Sequence, residues 1–166
     1  MGELQEIERV LLGAIEEFNQ HEGYLIKNDL SERCICAKFA CYLAKSLKES
    51  RFRDYAVDVE YNRGGSGLDY CHKTLGNKKI VVDLIVHKRG YDREYGFDNL
   101  FCIEMKKKYK KPDLTSDKER LKILTQNSSG FCYRAGYMVL ISQDQDLEKY
   151  ELEIDERFYN EYYLGE

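Results

Sequence analysis

The chain has 166 residues, one proline, twelve glycines and a formal charge of −4, which suits one folded domain spanning 1–166 and excludes a low-complexity or disordered chain. No apolar run reaches the roughly 18 residues that span a bilayer. The start, Met1-Gly2-Glu3-Leu4, has neither the basic segment of a secretory signal nor the Ser or Thr of a myristoylation pattern, so a cytoplasmic protein without a membrane partner is expected.

Leu4, Ile7, Val10, Leu11, Ala14, Ile15 and Phe18 recur at helical spacing and predict a first amphipathic helix, closed by or turning at Gly23. Asp29-x-x-Glu32 has the form of a capping box opening a second helix to about Leu47 or Ser50, with Cys36, Phe39, Ala40, Leu43 and Leu47 inward. From Tyr55 to Asn62 the period changes to two, the mark of a half-exposed strand in which Asp58 and Glu60 share the solvated face. The glycine-rich 63–67 segment follows. Two nearly continuous apolar strands come next, at 79–87 and 99–106, joined by a polar turn. Pro112 ends the second of these segments, a helix is predicted from 117 to about 127 with Ser116 or Asp117 as its cap, and 137–141 reads as a buried strand. The tail is ambiguous between strand alternation at Tyr150, Leu152 and Ile154 and a helical turn at Phe158, Tyr159 and Tyr162. The predicted order is α-α-β-β-β-α-β, a three-layer α/β/α fold on a mixed central sheet. The 137–141 strand lies parallel to a neighbour across the third helix.

Two carboxylates fall inside the apolar strands, Asp83 in Val81-Val82-Asp83-Leu84 and Glu104 in Ile103-Glu104-Met105-Lys106. A carboxylate there is costly unless paired. Two on adjacent strands can hold a divalent cation, and Lys106 shares the face of Glu104 because side chains alternate with period two. Asp, Glu and Lys on one face suit metal-assisted attack on a phosphodiester. The six cysteines, at 34, 36, 41, 71, 102 and 132, form no CxxC pair and read as reduced thiols. A zinc site from Cys71, His72 and His87 has no supporting spacing. Residues 143–166 hold nine acidic and two basic residues, a net of −7 that leaves +3 on the first 142. Five lysines lie between 106 and 111; such a run is commonly a solvated or edge-guarding surface, and here it directly follows the Glu-x-Lys pair.

The order of elements, with Asp83 and Glu104-x-Lys106 in a three-strand meander after an initial helix, resembles the PD-(D/E)xK nuclease superfamily of restriction-endonuclease-like fold, over roughly 31–142. Val82 stands where the motif's name has proline. The resemblance implies Asp83, Glu104 and Lys106 as catalytic residues and Glu32 as the helix glutamate of some branches, a role set against that of a cap. It implies Mg²⁺, with Mn²⁺ as substitute, held by Asp83, Glu104 and the Met105 carbonyl. The expected partner is nucleic acid, DNA above RNA, contacted by His87, Lys88, Arg89, Lys107, Lys108, Lys110, Lys111 and, with Tyr61 and Asn62 beside it, Arg63. A homodimer would suit a small domain cutting a duplex. Two other readings stand beside this one. A catalytically silent relative would bind nucleic acid or protein, its acidic tail forming a partner surface or competing for the lysines. A nucleotidyltransferase, suggested by Gly64-Gly65-Ser66, Asp69 and Asp83, lacks a second carboxylate at Ile85.

Overall fold

The computed structural model describes residues 2–60, 74–75, 78–90 and 98–164. Helices α1 (Glu3–His21), α2 (Gly23–Lys27) and α3 (Glu32–Lys48) precede strand β1 (Ala56–Val59), and β2 (Thr74–Leu75) with β3 (Lys78–Lys79) forms a separate small ribbon. Strands β4 (Leu84–His87) and β5 (Asn99–Lys107), helix α4 (Thr115–Thr125), and strands β6 (Ala135–Asp144) and β7 (Lys149–Tyr159) complete the chain, with a 3₁₀ turn at Glu161–Tyr163.

The main sheet runs β1-β4-β5-β6-β7, antiparallel throughout except for the parallel β5–β6 pair that α4 connects. One face carries Leu84, Val86, Ile103, Met105, Tyr137, Val139 and Ile141 against the apolar stripes of α1 and α3. The other carries Ile85, Cys102, Met138 and Leu140 against Leu121 and Leu124 of α4. Helices on both faces account for the nearly continuous burial of β5 and of the apolar run of β6 from Ala135 to Ile141. The expected mixed sheet in an α/β/α sandwich is thus present, with the predicted parallel strand in place. Among the described residues no helix is long and apolar enough to cross a membrane.

Three local expectations differ from what forms. Asp29 does not cap α3: it adopts a left-handed φ of 52°, and its carboxylate binds Lys107, Tyr109 and Lys110. Ser31 is the cap, its hydroxyl accepting the Cys34 N–H at 3.2 Å, so Glu32 is the first helical residue and the capping-box role falls away. Helix α4 begins ahead of Ser116 and Asp117, and Asp113 Oδ1 accepts the Thr115 N–H at 2.9 Å. The predicted 79–87 strand pairs in the main sheet only from Leu84, because the Asp83 side chain itself accepts the Met105 N–H at 2.8 Å where a ladder carbonyl would stand. The ambiguous tail resolves into an eleven-residue edge strand with Phe158 and Tyr159 inside it. Tyr61, Asn62 and the glycine-rich segment lie outside the described residues.

Candidate active site

The site grows from the end of the β4–β5 ladder. Leu84 pairs with Ile103, so the next positions outward, Asp83 and Glu104, come opposite each other with side chains on one face. That face is the α4 side, since Ile85 and Cys102, two residues along on each strand, pack with Leu121 and Leu124. Three contacts hold Asp83: its carboxylate takes the Met105 N–H, and its carbonyl receives the Glu60 N–H at 3.0 Å and the Cys36 thiol at 3.5 Å. The N–H and C=O of a strand residue point to the same side. The Met105 carbonyl therefore turns toward Asp83, away from β6.

Glu104 is 1% exposed. Burial, then the like charge of Asp83, push its carboxyl up to about 8, with Asp117 adding to the rise and Arg120 opposing it. The Arg120 guanidinium hydrogen-bonds Glu104 Oε1, and the same Nη1 reaches Asp117 Oδ1 at 3.2 Å. The Lys106 Nζ lies 3.6 Å from Asp117 Oδ2 and 4.0 Å from Glu32 Oε2. Burial lowers the proton affinity of Lys106, but Asp83, Asp117, Glu32 and Glu104 together outweigh it, so the ammonium is held above its ordinary range. Glu32 Oε2 is shielded from solvent and has no hydrogen-bond partner.

The four expected catalytic side chains thus converge, Asp83 and Glu104 across two strands, Lys106 beside them and Glu32 from the start of α3. Asp117 and Arg120 were not anticipated. Their signal is the Asp-x-x-Arg spacing, which puts both on one helix face one turn apart. It resembles an ordinary surface pair until α4 is placed over the sheet. Cys36 is a further neighbour, its thiol pushed up to about 12 by burial and by the carboxylates of Asp83, Glu60, Glu104 and Glu32; it is a protonated donor rather than a nucleophile.

The expected nucleic-acid contacts are placed differently. His87 is 4% exposed and lies 2.8 Å from Asp58 Oδ2, where it is too enclosed to meet a backbone phosphate. Arg89 binds the same carboxylate at 2.9 Å, Lys88 pairs with Asp98, and Lys107, 8% exposed, is bound to Asp29. Lys108 pairs with Glu153 and Lys110 with Asp29, while Lys111 is exposed in a left-handed turn. Asp58 and Glu60, expected on a solvated strand face, pair with His87, Arg89 and Arg33. Arg63, Cys71, His72, Gly64, Gly65, Ser66 and Asp69 lie outside the described residues.

Among the described residues, no group of three or more His, Cys, Asp or Glu side chains is placed to hold a metal ion. What the site offers is two facing carboxylates and a main-chain carbonyl. That set fits a small hard cation that keeps several waters, and magnesium is commonly bound through one or two carboxylates plus substrate phosphate. The burial of Glu104 beside Asp83 is the observation in favour: this pair needs a proton or a cation, and Arg120 supplies part of that charge. No protein-family model, curated protein or solved structure matches the chain.

Proposed function

We propose that the chain is a metal-dependent nuclease of the restriction-endonuclease-like fold, hydrolysing phosphodiester bonds, with DNA as the favoured substrate. The observation that carries this reading is the placement of Asp83 and Glu104 one position beyond the Leu84–Ile103 pair that ends the β4–β5 ladder, with Lys106 two residues on along the same face. The order meander, helix, parallel strand supports it at the level of the fold.

In this reading Asp83, Glu104 and the Met105 carbonyl would hold Mg²⁺ or Mn²⁺, and Glu32, 4.0 Å from Lys106 Nζ, would add negative charge beside them. When bound, such an ion polarises the phosphoryl oxygen and acidifies a coordinated water. Asp83 is oriented for its part by the Met105 N–H, which fixes one carboxylate oxygen and leaves the other to bind. Lys106 keeps its proton, being held charged by the surrounding carboxylates. It therefore serves as a fixed positive charge against the phosphate in the transition state and not as the general base. Its side chain is 28% exposed, so substrate can reach it.

The test is incubation with single- and double-stranded DNA and RNA in Mn²⁺, with Asp83→Asn and Lys106→Ala as controls. Cleavage lost in both variants is expected; cleavage undiminished in either would overturn the reading. A second reading, a catalytically silent relative that binds protein, draws on the ion pairs that occupy Lys88, Arg89, Lys107, Lys108 and Lys110. Wild-type protein that neither cuts in Mn²⁺ nor binds nucleic acid would favour it.

A further inference from the structure

Arg120 occupies a place that the nuclease reading leaves unexplained. Its guanidinium hydrogen-bonds Glu104, one of the two carboxylates assigned to the cation, while also reaching Asp117 at 3.2 Å. The guanidinium takes one acceptor site on Glu104 Oε1 and sets a positive charge against any cation that binds the same carboxylate. Arg120 also has somewhere to go, because its side chain is 28% exposed and Asp117, on its own helix, remains a partner if Glu104 is released.

We propose that Arg120 is a resident counter-ion of the Asp83–Glu104 pair that competes with a divalent cation for Glu104, so that Arg120 sets the affinity and selectivity for the metal. This rests on the reading of Asp83 and Glu104 as metal ligands and assigns a positioning role that the reading does not contain. The guanidinium supplies part of the charge that buried Glu104 needs beside Asp83. A cation bound there would take over that compensation and leave the guanidinium to Asp117. A weak or monovalent cation lacks the charge to displace it.

The sign of a substitution separates this from a structural role. Loss of mere support would weaken metal binding, whereas loss of a competitor strengthens it. Removing any nearby positive charge also favours a cation somewhat, so Lys106→Ala, which takes away an ammonium that does not contact Glu104, is the reference. Titration calorimetry with Mn²⁺ at one fixed pH, on wild type, R120A, R120K and K106A, is the experiment. We expect R120A to bind about tenfold more tightly than wild type, a change of the size seen when groups hydrogen-bonded to a ligand are altered, with R120K between them and K106A showing a smaller gain than R120A. Affinity in R120A equal to or below that of K106A overturns the inference while leaving the nuclease reading intact. No Mn²⁺ binding by any of the four proteins sinks the metal site itself. If R120A does not fold, R120K against wild type carries the same comparison, because an ammonium is more strongly hydrated than a guanidinium and yields the carboxylate sooner; an R120K affinity no higher than wild type then counts against competition.

Discussion

Glu104 is buried with one acid facing it, another on the helix above and a single guanidinium bound to it. Its carboxyl titrates near 8 in the folded chain against an ordinary 4.5. The folded state therefore binds a proton that the unfolded state has released over that interval, and stability falls as pH rises between those two values. In chelator-treated protein, Glu104→Gln should remove this decline, so that the wild type is the less stable of the two at pH above about 8 and the difference shrinks toward about 4.5. Denaturant titrations at a series of pH values measure it, and parallel curves for the two proteins would show that the group does not titrate in this range. Asp83 and Glu104 were legible in the sequence because a charge inside an apolar strand is costly and so conspicuous. Arg120 was not, because an arginine on a polar-looking helix carries no such cost until its neighbours are known.

Helix α4 brings Asp117 and Arg120 to the sheet, and its seat is narrow. Gly136 of β6 lies beneath it, where an added Cβ would come 3.3 Å from Thr125 Cγ2 and 3.4 Å from Leu121 Cδ2. Thr125 cannot turn aside easily, since its hydroxyl donates to the carbonyls of Leu121 and Lys122, and Leu121 is fully buried. Overpacking of this kind costs about 1–3 kcal/mol, more than the ~0.4–1 kcal/mol that Gly→Ala returns through the unfolded chain. Gly136→Ala should lower the thermal midpoint and alter Mn²⁺ affinity together by moving α4; an unchanged midpoint would mean that the helix shifts freely. The strands and long helices were readable from their periodicity because burial enforces it. The caps were not. Asp29 and Ser31 both have capping chemistry, and the choice between them is made by Lys107, Tyr109 and Lys110 some eighty residues away, which no local pattern contains.

Across the whole molecule, charge is arranged so that the acidic final strand lies against cations of the rest. Glu153 of β7 takes Lys108, while Asp155 and Glu156 both take Lys118. These pairs are exposed, and such contacts contribute little to stability, typically about 0–1 kcal/mol. Their effect on a polyanionic partner is larger, because each lysine already neutralised releases no counter-ion when a phosphate arrives. The double variant Asp155→Asn with Glu156→Gln should therefore tighten binding to nucleic acid and steepen its salt dependence by about one unit of slope, read from fluorescence anisotropy over a salt series. Unaltered slope would place Lys118 away from any nucleic-acid path. The segregation of charge was visible in the sequence as a tail of −7 after a body of +3. Which lysines the tail would silence depended on its becoming an edge strand beside β6, and the alternation at Tyr150, Leu152 and Ile154 left that open.

Successive residues of β5 serve opposite sides of the sheet: Lys106 enters the site, and Lys107 reaches back to Asp29, binding both its carbonyl at 3.3 Å and its carboxylate at 2.7 Å. That anchor lies three residues before Glu32, so the strand bearing the acid–lysine pair is moored to the lip of the helix that brings the remaining glutamate. If the proposed nuclease reading holds, Lys107→Ala should slacken Glu32 and depress the cleavage rate, although Lys107 itself is bound to Asp29 and not aimed at the site. An alanine screen scored by activity alone would count Lys107 among the chemical groups, when its work is that of a tie-rod behind the wall; a thermal midpoint falling in step with the rate would reveal the difference.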